Sequence, residues 1–342
     1  MDSEFLIVGA GPSGLSCARV LADAGRSVLI LEKSRGVGGR CATRRIDGRP
    51  VDHGPAFYHG DDAGFLEALE AVDSTALRGW PSRVNGEGRA CQPGAFRSGE
   101  TRVAFAEGMT AFPKSLARDI PLETNTRVGT VRAEDGGIAV TAEDGRRFEA
   151  PHLVLAIPPP QAVALLANLA GAEARGLRAA RYLLGGISYV RCLTVLATYS
   201  EASTGPDWHV CYPERSRILQ LASHDSAKRT GPPSPVLVLQ ALPAWSRDHW
   251  NDPAAEWTEA MLLEGGERFG AWVAEPERAV SHRWRYARVA GGECLASPLV
   301  LPLGEGTSLA VTGEALAPGG GVQAAWLAGR QVARRLLEED PG

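Results

Sequence analysis

An unbroken apolar run, Phe5 to Val8, ends at Gly9 and predicts a buried strand over residues 4–9, of the kind parallel sheets use. Leu15, Ala18, Leu21 and Ala22 then recur at helical spacing, predicting a helix over 13–24 that stops at Gly25. A second apolar run from Ser27 to Leu31 predicts a strand closing on Glu32. Thr126–Arg132 and Ile138–Thr141, with a Glu-Asp-Gly turn at 143–145, predict a β-meander. Leu153–Ile157 reads as another buried strand, ended by Pro158. Ser308–Thr312 reads as a strand and 322–338 as a helix with Val322, Ala325, Leu327, Val332 and Leu336 apolar. In between lie a predicted helix at Asp61–Val72, strands at 188–199, 217–223 and 235–242, and a helix from about Pro253 to Phe269. Pro253 suits that helix's first turn. The Gly-, Pro- and Arg-rich stretch up to residue 105 has no assignable period.

The turn after the first strand carries chemistry. Gly9, Gly11 and Gly14, enclosing Pro12 and Ser13, have G-x-G-x-x-G spacing. Gly9 permits the tight turn, Gly11 the approach of a pyrophosphate, and Gly14 close packing of helix on strand. Phosphates would meet the helix N-terminus, where free amides and the dipole favour anions. Glu32 is placed to accept hydrogen bonds from an adenosine ribose. Lys33 and a diglycine, Gly38-Gly39, follow, and then Arg40, whose guanidinium fork suits phosphate oxygens. At the far end, strand, Gly313-Glu314, Gly319-Gly320-Gly321 and a helix from Val322 repeat the theme.

Composition narrows the class. Of 342 residues 40 are glycine, about 12% where roughly 7% is usual, and the motifs above absorb part of that excess. The formal charge of −4 argues against a nucleic-acid or anionic-membrane surface. Six scattered cysteines without a C-x-x-C pair argue against a metal centre or a disulfide framework. No signal-peptide core is evident, and prolines 158–160 interrupt the most apolar segment, so a cytoplasmic protein without a membrane span is expected.

The run Lys33-Ser34-Arg35-Gly36-Val37-Gly38-Gly39-Arg40-Cys41-Ala42-Thr43 resembles the FAD signature of the flavin amine oxidase superfamily. The resemblance implies an α/β fold: a glutathione-reductase-like, Rossmann-type FAD domain with an inserted α+β substrate domain on a mainly antiparallel sheet. It implies FAD held by Gly9, Gly11, Pro12, Ser13, Gly14, Glu32, Lys33, Gly39, Arg40, Val128, Gly313, Glu314, Gly321 and Val322, with Val128 near the adenine. Attachment should be non-covalent, since no Cys or His lies between Glu314 and Val322. No second glycine motif follows a strand, so a separate NADPH domain is not expected. The expected FAD domain comprises 1–59, 106–170 and 285–342, and the substrate domain 60–105 and 171–284.

Further segments are similar to the renalase branch. They include Asp52-x-Gly54, Gly108-Met109-Thr110-Ala111, His282-Arg283-Trp284-Arg285-Tyr286-Ala287, Ala324-x-Trp326-Leu327-x-Gly329 and Ser223 to Lys228. That branch implies oxidation of dihydronicotinamide isomers of NAD(P)H, with oxygen accepting the electrons as peroxide. The chain departs from its pattern twice, with Pro55-Ala56 where the branch has Ala-Gln and Glu314-Ala315 where it has Asp-Trp. An amine or secondary-metabolite oxidase on the same scaffold, and a non-catalytic flavin protein, are the competing expectations. His53, His282 and Trp284 are the candidate catalytic residues, and the histidines could equally be structural. Trp284 could stack on a planar substrate or fill a core. The expected partner is a small molecule, with oligomeric state left open.

Overall fold

A computed structural model describes residues 3–72, 76–86, 94–134, 136–167, 169, 175–230 and 234–339. The unassignable stretch 87–93, including Cys91, lies outside the described residues. The chain divides into two compact units, one made of Met1–Gly39, Phe112–Ser188 and Val289–Gly342, the other of Arg40–Ala111 and Tyr189–Arg288.

The first unit is built on a six-stranded sheet. Its order is Leu299–Gly304, Thr307–Val311, His152–Leu155, Phe5–Val8, Val28–Leu31 and Leu122–Glu123. All neighbours are parallel except the Leu299–Gly304 edge strand. Phe5, Leu6, Ile7 and Val8 are all buried, which is why the strand is apolar at every position. The helices Pro12–Asp23 and Gly321–Glu339 share a core with it through Leu15, Ala18, Leu21, Val332 and Leu336. The meander forms a separate three-stranded sheet of Val128–Glu134, Gly137–Ala142 and Arg147–Ala150.

The second unit is mainly antiparallel. Its sheet runs Arg278–Val289, Tyr189–Thr198, Val236–Ala241, Leu219–His224, Val210–Cys211 and Val84–Asn85, antiparallel from Tyr189–Thr198 through Val210–Cys211 and parallel at the last pair. Alternation sends Leu193, Val195, Leu237 and Leu239 to one face, where Trp257, Met261 and Leu262 of the helix Ala254–Phe269 cover them. Leu196, Val236 and Val238 point the other way and pack on Ile46 and Val51. Those two belong to the hairpin Thr43–Ile46 and Arg49–Asp52.

Two expectations shift. Pro253 caps the helix from outside rather than opening its first turn, with φ −52° and ψ 139°. Residues 40–59, expected with the glycine turns, belong to the second unit because Ile46 and Val51 bury against its sheet. The same holds for 106–111 and 285–288. Residues 171–188 divide the opposite way, because the helix Arg175–Gly185 packs on the helix Pro159–Ala167 of the first unit.

Candidate functional site

In the first unit, Val8, Leu155 and Val311 stand side by side in register, so the turns after three parallel strands leave from one sheet edge. The carboxyl edge of such a sheet is where nucleotides bind. Gly9 has φ 107°, and a Cβ there would lie 2.6 Å from the Ala156 carbonyl oxygen. A Cβ on Gly14 would overlap the Gly9 carbonyl oxygen, so helix and strand touch at this point. Gly11 is different, because a Cβ there would meet nothing within 4 Å. It caps the first helix without a side-chain hydrogen bond, and Pro12 occupies the opening helical position. The open backbone and the orphan amides of Ser13 and Gly14 form a place for an anion.

Glu32 is buried and its carboxylate borders this turn. Its two oxygens accept from the amides of Ala10 at 2.8 Å and Ser34 at 2.7 Å, leaving further lone pairs for ribose hydroxyls. The Gly38 amide donates to the Ala10 carbonyl at 2.8 Å, and a Cβ on Gly39, φ 55°, would lie 3.4 Å from the Gly11 Cα. The diglycine is thus folded onto the phosphate turn. Lys33 is exposed beside it. Val128 is half-buried, at a register shift in the meander.

The far end completes the same edge. Thr312 is buried, and its Oγ1 lies 2.9 Å from the Ser13 Oγ. Gly313 has φ 154° and ψ 176°, and Glu314, buried, opens a single 3-10 turn through Leu316. Gly319, Gly320 and Gly321 all have positive φ, and a Cβ on any of them would meet nothing within 4 Å. Val322 follows, half-buried, in the first turn of the last helix. Ser16 Oγ donates to the Trp326 carbonyl at 2.8 Å, tying that helix to the first. Open backbone at Gly11 and at Gly319–Gly321, with a buried acceptor at Glu32, suits a dinucleotide with two phosphates and a ribose.

Arg40 belongs to the second unit, where its guanidinium lies 3.4 Å from the carbonyls of Tyr286 and Ala287. His53, His282 and Trp284 come together there. The His53 ring stacks on Trp284 with centroids 5.2 Å apart and meets His282 edge-on at 4.8 Å. The Trp284 Nε1 donates to the His53 carbonyl at 2.9 Å. Burial, the neighbouring His282 and the Arg44 guanidinium together push the His53 pKa down to about 4. Burial and Arg44 do the same for His282, also to about 4. Both rings are neutral and weakly basic at pH 7.

Beside them is an ion cluster that the sequence reading did not single out. Lys228 Nζ contacts Asp52 Oδ2 at 2.6 Å and Asp225 Oδ1 at 2.7 Å, and Arg229 Nη2 contacts the second oxygen of Asp225 at 2.7 Å and Asp52 at 2.9 Å. Burial raises the Asp52 pKa, but Lys228 and Arg229 outweigh it and hold it at about 2. A signal was present: Lys228 is one of three lysines in a chain that otherwise uses arginine. Among the described residues no group of three His, Cys, Asp or Glu could hold a metal, and no helix is long and apolar enough to cross a membrane.

The sequence profile of the family described as flavin containing amine oxidoreductase matches residues 83–337, and that of an NAD(P)-binding Rossmann-like domain matches 7–69. Putrescine oxidase from Kocuria rosea is 30% identical over 129 residues, covering 35% of this chain and 26% of that protein. Carotenoid 3,4-desaturase from Haloarcula japonica is 48% identical over 55 residues, 16% of this chain and 11% of its own. These alignments therefore span 26% and 11% of the two relatives' lengths. The fold is similar over nearly whole chains to putrescine oxidase bound to putrescine, with TM-score 0.68, 17% identity and 99% of each chain covered. Cyclohexylamine oxidase from Brevibacterium oxydans IH-35A gives TM-score 0.67 and 15% identity over 100% of both.

Proposed function

The chain belongs to the flavin containing amine oxidoreductase family, a class of FAD-dependent oxidoreductases, and from that premise we propose that it oxidises a small dihydronicotinamide, as renalases do, with oxygen as electron acceptor. The FAD would be held by the residues of the Gly9, Glu32, Gly313 and Gly319 turns. Bound there, it supplies a two-electron acceptor. The substrate would give up one C–H hydrogen with both electrons and become an aromatic nicotinamidium. Oxygen, with one further proton from water, leaves as hydrogen peroxide, so that electrons and protons balance.

The observation that carries this reading is geometric: the His53 ring stacks on Trp284 with centroids 5.2 Å apart and meets His282 edge-on at 4.8 Å, and burial lowers the basicity of both histidines. Each has a pKa of about 4, and neither could take a proton from an ammonium group efficiently. An electron-rich dihydronicotinamide needs no such base, only a flat surface and orientation, which the stacked His53 and Trp284 rings are suited to supply.

The similarity to putrescine oxidase and the small Ala56, where renalases carry glutamine, favour one other reading: oxidation of an amine that binds already deprotonated. Anaerobic rapid mixing of the FAD-loaded protein with the dihydronicotinamide isomers, and separately with putrescine and cyclohexylamine, tests both. We expect loss of the flavin's visible absorbance with at least one dihydronicotinamide and slow or no loss with the amines. Bleaching by amines alone reverses the order of the two readings.

A further inference from the structure

Residues 53–56 are held by three side chains from three separate elements of the second unit's sheet region. The His53 carbonyl accepts from Trp284 Nε1 at 2.9 Å, on the strand Arg278–Val289. The Gly54 carbonyl accepts from Gln240 Nε2 at 2.8 Å, on the strand Val236–Ala241. The Ala56 carbonyl accepts from Lys228 Nζ at 3.1 Å, in the 3-10 turn Asp225–Lys228. The remaining carbonyl belongs to Pro55, which also fixes φ at the loop's centre. On the other side a Cβ at Gly54 would overlap the Arg40 carbonyl oxygen, so the backbone cannot shift that way without a clash.

The sheet is shaped for this. Val236 and Val238 share the Gln240 face and are covered by Ile46 and Val51, so that the face is apolar where the hairpin lies and polar where the hairpin strand ends at Asp52. Opposite Gln240 the Leu219–His224 strand carries a register shift between Leu219 and Leu221, a bulge that re-aims side chains locally. Three side chains from three elements, Lys228 buried and Gln240 and Trp284 half-buried, each give a donor to a carbonyl of this loop, which is more than packing four residues requires.

We infer that residues 53–56 form a preorganised recognition loop and that Gln240 is its central positioning residue, setting the His53 ring for a planar substrate. The inference rests on the proposed function for the identity of that substrate. Gln240 donates to Gly54, Trp284 anchors the residue before it and Lys228 the second residue after it. Loss of the middle anchor leaves two ends fixed and a backbone free to rotate between them, so His53 gains access to water while the fold persists.

The test uses the full-length, FAD-loaded protein with Gln240→Leu and Gln240→Glu. Glutamate keeps the shape but as a carboxylate cannot donate to a carbonyl. Histidine side-chain NMR across pH should show His53 titrating near 4 in the parent and about one unit or more higher in both variants, toward the ordinary 6.5. KM for the dihydronicotinamide that bleaches the parent should rise about tenfold, with kcat within about twofold. Should Gln240→Leu fail to fold, Gln240→Met removes the same donor with a smaller change of shape and is read the same way. An unmoved His53, a wild-type-like Gln240→Glu, or a shifted His53 with unchanged KM each overturns the inference. A parent protein that oxidises none of the donors refutes the proposed function instead, and the histidine titration alone then decides whether the clamp exists.

Discussion

The hydroxyls of Ser13 and Thr312 meet at 2.9 Å across 299 residues of sequence, inside a region from which both are almost wholly withdrawn from water. Ser13 stands in the first turn of the helix that follows the phosphate-type turn, and Thr312 directly precedes Gly313 and Glu314. The pair therefore couples the two cofactor-type turns. Thr312→Val keeps volume and removes the partner, stranding a buried hydroxyl at a cost of about 1–3 kcal/mol. We expect FAD affinity to fall about tenfold or more by titration of the apoprotein, with Thr312→Ser close to the parent.

Gly329 sets how near the last helix comes to the first. A Cβ there would overlap both the Ser13 carbonyl oxygen and the Ser16 hydroxyl. Gly329→Ala should force the helices apart and cost about 1–3 kcal/mol by urea unfolding. Adding Ser16→Ala should restore little, because the Ser13 carbonyl remains in the way.

What could be read in advance followed from locality. The first strand, its glycine turn and the helix after it are specified by residues within one another's reach, and so are the last strand and helix. The Asp47-Gly48 turn, with φ 50° and 80°, also carries a local hairpin signal. It is masked by strands made of Thr43, Arg44, Arg45, Arg49 and Pro50, which have little apolar alternation. The strand Arg278–Val289 hides likewise, because His282, Trp284 and Tyr286 stand at its alternate, less exposed positions and only Val280 and Val289 are aliphatic β-branched residues. Lys228 could not be placed at all. Its burial depends on Asp52, 176 residues away, and no local period encodes that distance.

Removing one member of that ion cluster should be severe. Lys228→Met leaves Asp52 and Asp225 sharing a single guanidinium, with Lys228 and Asp52 side chains wholly buried in the parent. Breaking a buried pair from one side typically costs about 3–5 kcal/mol. Lys228→Met with Asp225→Asn returns the cluster to neutrality, and urea midpoints should show it recovering part of the loss. Equal stability of the single and double variants would show that charge balance is not what the lysine supplies.

Acid should weaken the fold before it touches the carboxylates. The folded His53 pKa of about 4 lies below the ordinary 6.5, so between those values the unfolded chain binds more protons than the folded one. Stability is then full above pH 6.5 and declines as pH falls toward 4, by about 3 kcal/mol for His53 if its displacement is fully expressed. His282 adds less, because its ring is more open to water and screening discounts its share. Asp52 acts in a separate window. Held at about 2 against an ordinary 3.8, its contribution is intact above 3.8 and is lost as pH drops through 2. Urea midpoints of the FAD-loaded protein at half-unit intervals from pH 8 to 3 should therefore decline from about 6.5, and His53→Asn with His282→Asn should flatten that limb and leave the steeper loss below 3.8 in place. A parent curve level down to pH 4 would mean that these rings charge freely in the folded protein and are basic enough to take a proton from a substrate.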